Sequence, residues 1–176
     1  MVNSDITKVG IITHNNYQSL LDHIGTSKDW DLSRRSGGIK ILPPFITSFT
    51  SPAANKLYTT RLEALMGVAN FINRCNEDHI VLSDCDAVCN INIADVLEQH
   101  ETNDADITIV STKKSFDEHA FNSSIICVES DDNGRLTGIS KFKPTGGVEE
   151  VSTNLMVIKR KYLLNVLNEA AARDYD

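Results

Sequence analysis

Apolar residues along the 176-residue chain fall into short branched runs and helical stripes that alternate, which predicts an α/β domain. Val9, Ile11 and Ile12, within Ile6 to Thr13, suit a central strand. Leu20, Leu21 and Ile24 then line one face of a helical turn from Tyr17 to Ile24, stopped by Gly25. Residues 28–38 are polar and read as a loop, and Ile39 to Leu42 is a short strand ended by Pro43 and Pro44. Residues 45–57, rich in Ser, Thr, Pro and Ala, form a long connection. The clearest helix is Thr60 to Arg74, where Leu62, Leu65, Met66, Ala69 and Ile72 recur at helical spacing opposite Glu63, Asn70 and Asn73.

Ile80-Val81-Leu82 has the branched, uninterrupted apolar character of a strand buried on both faces of a parallel sheet. Asn92 with Asp95 marks a helix start, with Ile93, Val96 and Leu97 as its buried stripe, and Ile107 to Val110 is a second buried-type strand. The pattern then changes. Ser124 to Val128, a turn at Asp131-Asp132-Asn133-Gly134, and Leu136 to Phe142 predict a hairpin and hence an antiparallel addition. Val151 to Ile158 is a strand, and Lys159 to Arg173 is an amphipathic helix with Tyr162, Leu163, Val166, Leu167 and Ala170 facing inward.

Composition narrows the function. At 41% hydrophobic and 23% charged, the chain suits one globular domain with a real core. A net charge of −7 disfavours nonspecific nucleic-acid or anionic-membrane binding, because both need a basic surface. With no apolar run of membrane-spanning length and no leader-like opening, the cytoplasm is the expected compartment. Cys75, Cys85, Cys89 and Cys127 form no C-x-x-C pair, so a disulfide framework or zinc site is not expected. His14, His23, His79, His100 and His119 lack metal-ligand spacing and read as surface or core-edge residues.

Candidate chemistry gathers after the Ile80 to Leu82 strand, where Asp84 and Asp86 follow at once. Open α/β sheets keep their ligand crevice outside the carboxyl ends of the strands. Carboxylates there can hold Mg2+, which takes one or two protein oxygens and completes its shell with water and phosphate. The alternative is that Asp84 and Asp86 shape a turn and cap the next helix.

Five stretches together resemble one family: Met1 to Ile11, Asn16-Tyr17-Gln18-Ser19-Leu20, Arg61-Leu62-Glu63-Ala64-Leu65, Leu82-Ser83-Asp84-Cys85-Asp86 and Ser152-Thr153-Asn154-Leu155-Met156. Their order and separation resemble the bacterial glucose-1-phosphate adenylyltransferases (ADP-glucose pyrophosphorylases) of glycogen synthesis, and most closely the regulatory, poorly catalytic subunit type. The resemblance implies a Rossmann-like sugar nucleotidyltransferase domain, with a mixed, mostly parallel sheet, helices on both faces and an antiparallel insertion. It implies the reaction of ATP with glucose 1-phosphate, using Mg2+, to give ADP-glucose and pyrophosphate. By position, Asp86 resembles the metal-binding acid, with Asp84 beside it. Lys143 resembles the lysine that holds the sugar phosphate, Ser152 the serine of the sugar-facing strand, Tyr58 a nucleotide-side tyrosine, and Glu63 an acidic position nearby. Each residue also has a plainer reading. Lys143 and Glu63 can be solvated, Tyr58 can be packing, and Ser152 can serve the backbone.

Departures from the family pattern shape the functional expectation. Thr59-Thr60-Arg61 replaces Arg-Gly-Thr, Cys85 replaces the glycine beside the metal acid, Phe142 the glutamate before Lys-Pro, and Asn154 the glycine after Ser-Met. The resemblance also places the glycine-rich phosphate loop ahead of Met1, and the second metal carboxylate and the β-helix domain beyond Asp176. Residues 1–176 are therefore expected to be a partial nucleotidyltransferase domain, truncated at the N-terminus and lacking the C-terminal β-helix domain. The leading expectation is a regulatory subunit, inactive alone, which pairs with a catalytic glucose-1-phosphate adenylyltransferase subunit and binds glucose 1-phosphate or ATP. Two alternatives stand beside it: a competent nucleotidyltransferase completed by other sequence or a partner chain, and a non-catalytic assembly module.

Overall fold

The computed structural model describes residues 4–14, 17–25, 32, 37–43, 58–85, 88–116, 125–142 and 147–173. The chain divides into two compact units, one of residues 1–78, 92–95 and 160–176, the other of residues 79–91 and 96–159. Among the described residues no helix is long and apolar enough to cross a membrane.

In the first unit β1 (Lys8–Ile12) and β2 (Gly38–Leu42) pair in parallel, from Lys8 against Gly38 to Ile12 against Leu42. Gly10 is required by close approach, since a Cβ there would sit 2.7 Å from the Phe71 ring. The helix α1 (Gln18–Ile24) ends where Gly25 takes φ 53, as the sequence expects. The expected Thr60 to Arg74 helix is two pieces, α2 (Arg61–Gly67) and α3 (Ala69–Asn73), broken at Val68. Gly67, a poor helix former, sits at that break with the Tyr58 ring against it.

Two later helices follow among the described residues. The start of α4 (Ile93–Thr102) is held by Asn92, whose side chain accepts from the Ala94 N–H and donates to Asp95. Helix α5 (Arg160–Arg173) buries Leu163, Leu167 and Ala170, a stripe at i, i+4 and i+7. Tyr162 was expected on that stripe but is 40% exposed, because it lies one residue, about 100°, away from Leu163.

The second unit holds β3 (His79–Leu82), β4 (Ile107–Phe116), β5 (Ile126–Ser130), β6 (Leu136–Lys141) and β7 (Gly147–Lys159). Strand β7 runs between β3 and β4 antiparallel to both, while β5 joins β7 and β6 closes the hairpin. The expected mostly parallel sheet is therefore corrected: among the described strands only β1 and β2 pair in parallel. The branched run Ile80 to Leu82, expected to be buried on both faces, is half-buried throughout, and its composition does not report the direction of its neighbour.

Strands β4 and β7 also extend beyond their apolar cores. Lys113 and Lys114 stand opposite Glu150 and Glu149, so the register sets opposite charges across the ladder where hydrophobic alternation has ended. In the hairpin, Asp131 Oδ1 accepts from the N–H groups of Asn133 and Arg135, and Gly134 takes φ 76.

Candidate functional site

Strand β3 delivers Ser83 and Asp84 at its carboxyl end. Its last pair is Leu82 with Met156, so β7 residue Asn154 lies two positions beyond that pair, as Asp84 does on β3. Register thus brings the half-buried Asp84 and the Ser152 to Asn154 stretch to the same edge region of the sheet. The Ser83 hydroxyl donates to the Asp84 carbonyl at 3.0 Å.

The β4–β7 ladder is irregular at this edge. Val110 pairs with Leu155 but the adjacent Ser111 pairs with Ser152, leaving Thr153 and Asn154 as extra residues in β7. Local hydroxyls complete the bulge: Thr153 Oγ1 donates to the Val110 carbonyl at 2.8 Å, and Ser152 Oγ accepts the Asn154 N–H at 3.1 Å. Asn154 takes φ 58, a left-handed conformation that asparagine tolerates better than most residues. Asparagine at this position therefore accommodates the left-handed backbone of the bulge. Ser152 accepts one bond and retains a proton that it can donate, which is the chemistry required to hold a sugar hydroxyl.

Asp84 supplies a hard oxygen donor, which fits Mg2+ better than a soft metal. Among the described residues no group of three or more His, Cys, Asp and Glu side chains is placed to hold a metal. Asp86 and Lys143 lie outside the described residues. Cys85 and Cys89 are exposed, whereas Cys75 and Cys127 are buried as small apolar residues, and burial pushes the Cys127 thiol pKa up.

Tyr58 and Glu63 belong to the first unit, Asp84 and Ser152 to the second. Glu63 completes a capping box at the start of α2. Its carboxylate accepts from the backbone N–H groups of Thr59 and Thr60, and its own N–H donates to Thr60 Oγ1 at 3.1 Å. A glutamate at this position thus has a structural task that the sequence reading did not assign, although Thr60 and Glu63 carry the capping spacing. Tyr58 packs on Gly67, where a Cβ would meet its ring at 2.9 Å. The Tyr58 hydroxyl is buried and has no hydrogen-bond partner among the described residues, and burial raises its pKa.

Sequence reasoning missed the bulge and the left-handed backbone at Asn154. The available signal was three consecutive polar residues, Ser152-Thr153-Asn154, interrupting an apolar strand.

No family model matches the chain. It is 27% identical over 173 residues to a glucose-1-phosphate adenylyltransferase of Clostridium acetobutylicum, covering 96% of this chain and 43% of that protein. It is 32% identical over 112 residues to the glycogen biosynthesis protein GlgD of Bacillus subtilis, covering 62% of this chain and 31% of that one. In fold it matches HddC from Yersinia pseudotuberculosis, solved in complex with GMP-PN, with a TM-score of 0.60 at 11% identity, over 91% of this chain and 59% of that one. The chain spans less than half the length of these curated relatives.

Proposed function

Because the chain is a relative of the glucose-1-phosphate adenylyltransferase and GlgD proteins, we propose that it is part of the nucleotidyltransferase domain of a regulatory-type ADP-glucose pyrophosphorylase subunit. On this reading it makes no ADP-glucose alone and acts with a catalytic subunit in glycogen synthesis. Ser152 holds a sugar hydroxyl, and Lys143 neutralises the sugar phosphate as a point charge. Asp84 and Asp86 would hold Mg2+, which when bound neutralises phosphate charge.

The observation that carries the non-catalytic reading is Phe142. Where the family resemblance expects a glutamate just before Lys-Pro, this side chain is buried with Phe116, Cys127 and Val151, its ring 4.4 Å from that of Phe116. An aromatic committed to the core cannot accept hydrogen bonds from a substrate as a carboxylate would.

The test is isothermal titration with glucose 1-phosphate and with ATP-Mg2+, beside an assay for ADP-glucose. Glucose 1-phosphate binding without turnover is the expected result. Turnover by the chain unaided would overturn the regulatory assignment, and silence toward both ligands would favour an assembly module.

A further inference from the structure

At the opposite end of β3 lies a second cluster of polar groups. His100, in the last turn of α4, is fully buried, although its lack of metal-ligand spacing suggested a surface or core-edge position. The reason is periodicity, since His100 falls seven residues after buried Ile93 and so continues the inward stripe. Its Nδ1 lies 2.7 Å from Thr108 Oγ1 on β4, whereas its buried Nε2 has no hydrogen-bond partner among the described residues. The ring of His79, the first residue of β3, stands edge-on to it at 5.1 Å between centroids.

We propose that His100, packed against the His79 ring, is a proton-sensitive latch, which holds the last turn of α4 to the start of β3 and β4 while the His100 ring is neutral and releases it on acidification. A neutral His100 with its proton on Nδ1 donates it to Thr108 Oγ1 and leaves only a lone pair unmatched at Nε2. A protonated one would carry a buried N–H with no acceptor, beside a second histidine. The other charged groups facing it divide by sign. Glu101 and Asp106 favour the cation, while Lys159 opposes it. Lys159 is itself bound to Asp104 at 2.8 Å and Asp106 at 3.2 Å, which offsets part of that acidic pull. Glu101 also reaches His79 Nδ1 at 3.5 Å. Desolvation is the largest influence on His100 and holds its pKa below the ordinary histidine value, with His79 next. The sign follows. The released state binds a proton more readily than the latched one, so latching is complete above about pH 6.5 and weakens as pH falls below it.

The test is NMR on the whole 176-residue chain between pH 7.5 and 5. The latched His100 ring should stay neutral as the pH passes below the ordinary histidine value of about 6.5. Amide protection of residues 97–102, corrected for intrinsic exchange, should fall about tenfold per pH unit below that point, relative to Val157 and Ile158. His100→Gln should remove that pH dependence. If the variant does not fold, the wild-type titration still decides. An ordinary His100 titration in the folded chain, or protection at 97–102 that is flat with pH, would refute the latch.

Discussion

At its amino end β3 begins with His79, set edge-on to the fully buried His100. At its carboxyl end the same strand runs out through Leu82 into half-buried Asp84 and exposed Cys85, level with a bulge in β7. The first end is sealed by side chains from three further elements, α4, β4 and β7. At the second, Ser152 accepts the Asn154 N–H within its own strand and Thr153 donates to the Val110 carbonyl of the neighbouring strand. A sealed end derives its rigidity from burial and penalises any polar group left unmatched. An open end holds its shape through local backbone geometry. Substitutions should therefore affect stability at one end, and geometry and binding at the other.

The largest effect should come from the strand both ends share. Leu155 is 4% exposed, in β7 between the bulge and the core pairs at Met156 and Val157. Leu155→Ala should cost about 2–5 kcal/mol, through lost burial and the cavity left behind. Urea unfolding would measure it, and a cost under about 1 kcal/mol would show that the bulge lets the sheet collapse around the gap.

A smaller loss should appear at the sealed end alone. Thr108→Val removes the hydroxyl bonded to His100 Nδ1 and leaves both ring nitrogens of a buried histidine unmatched. The expected cost is about 1–3 kcal/mol, with no change in glucose 1-phosphate binding. A binding change without a stability change would invert the contrast between the two ends.

Much of this contrast was legible in the sequence, but unevenly. Ile80 to Leu82, the Asn92–Asp95 helix start and the Asp131 to Gly134 turn are local signals, and each element formed where its residues placed it. The direction of β7 was not legible, because a run such as Ile80-Val81-Leu82, half-buried throughout, carries apolar character and no information about its partner's polarity. His100 was misjudged because residue type outweighed its place on the stripe begun by Ile93. Ser152 was singled out by family resemblance alone. The bulge that surrounds it depends on a two-residue mismatch between β4 and β7, which neither strand encodes by itself.

That mismatch offers the finest test, because it asks for a backbone shape at Asn154 and not for a side-chain contact. At φ 58 a β-branched residue meets its own backbone, so Asn154→Val should cost about 1–2 kcal/mol in urea unfolding. Glycine adopts the same conformation without that penalty, so Asn154→Gly should recover most of the difference. Because Ser152 Oγ accepts the Asn154 N–H, the valine variant should also disturb the hydroxyl assigned to the sugar. Glucose 1-phosphate affinity should then fall in Asn154→Val and be kept in Asn154→Gly. If both variants bind alike while differing in stability, the bulge serves the sheet and Ser152 does not read the sugar.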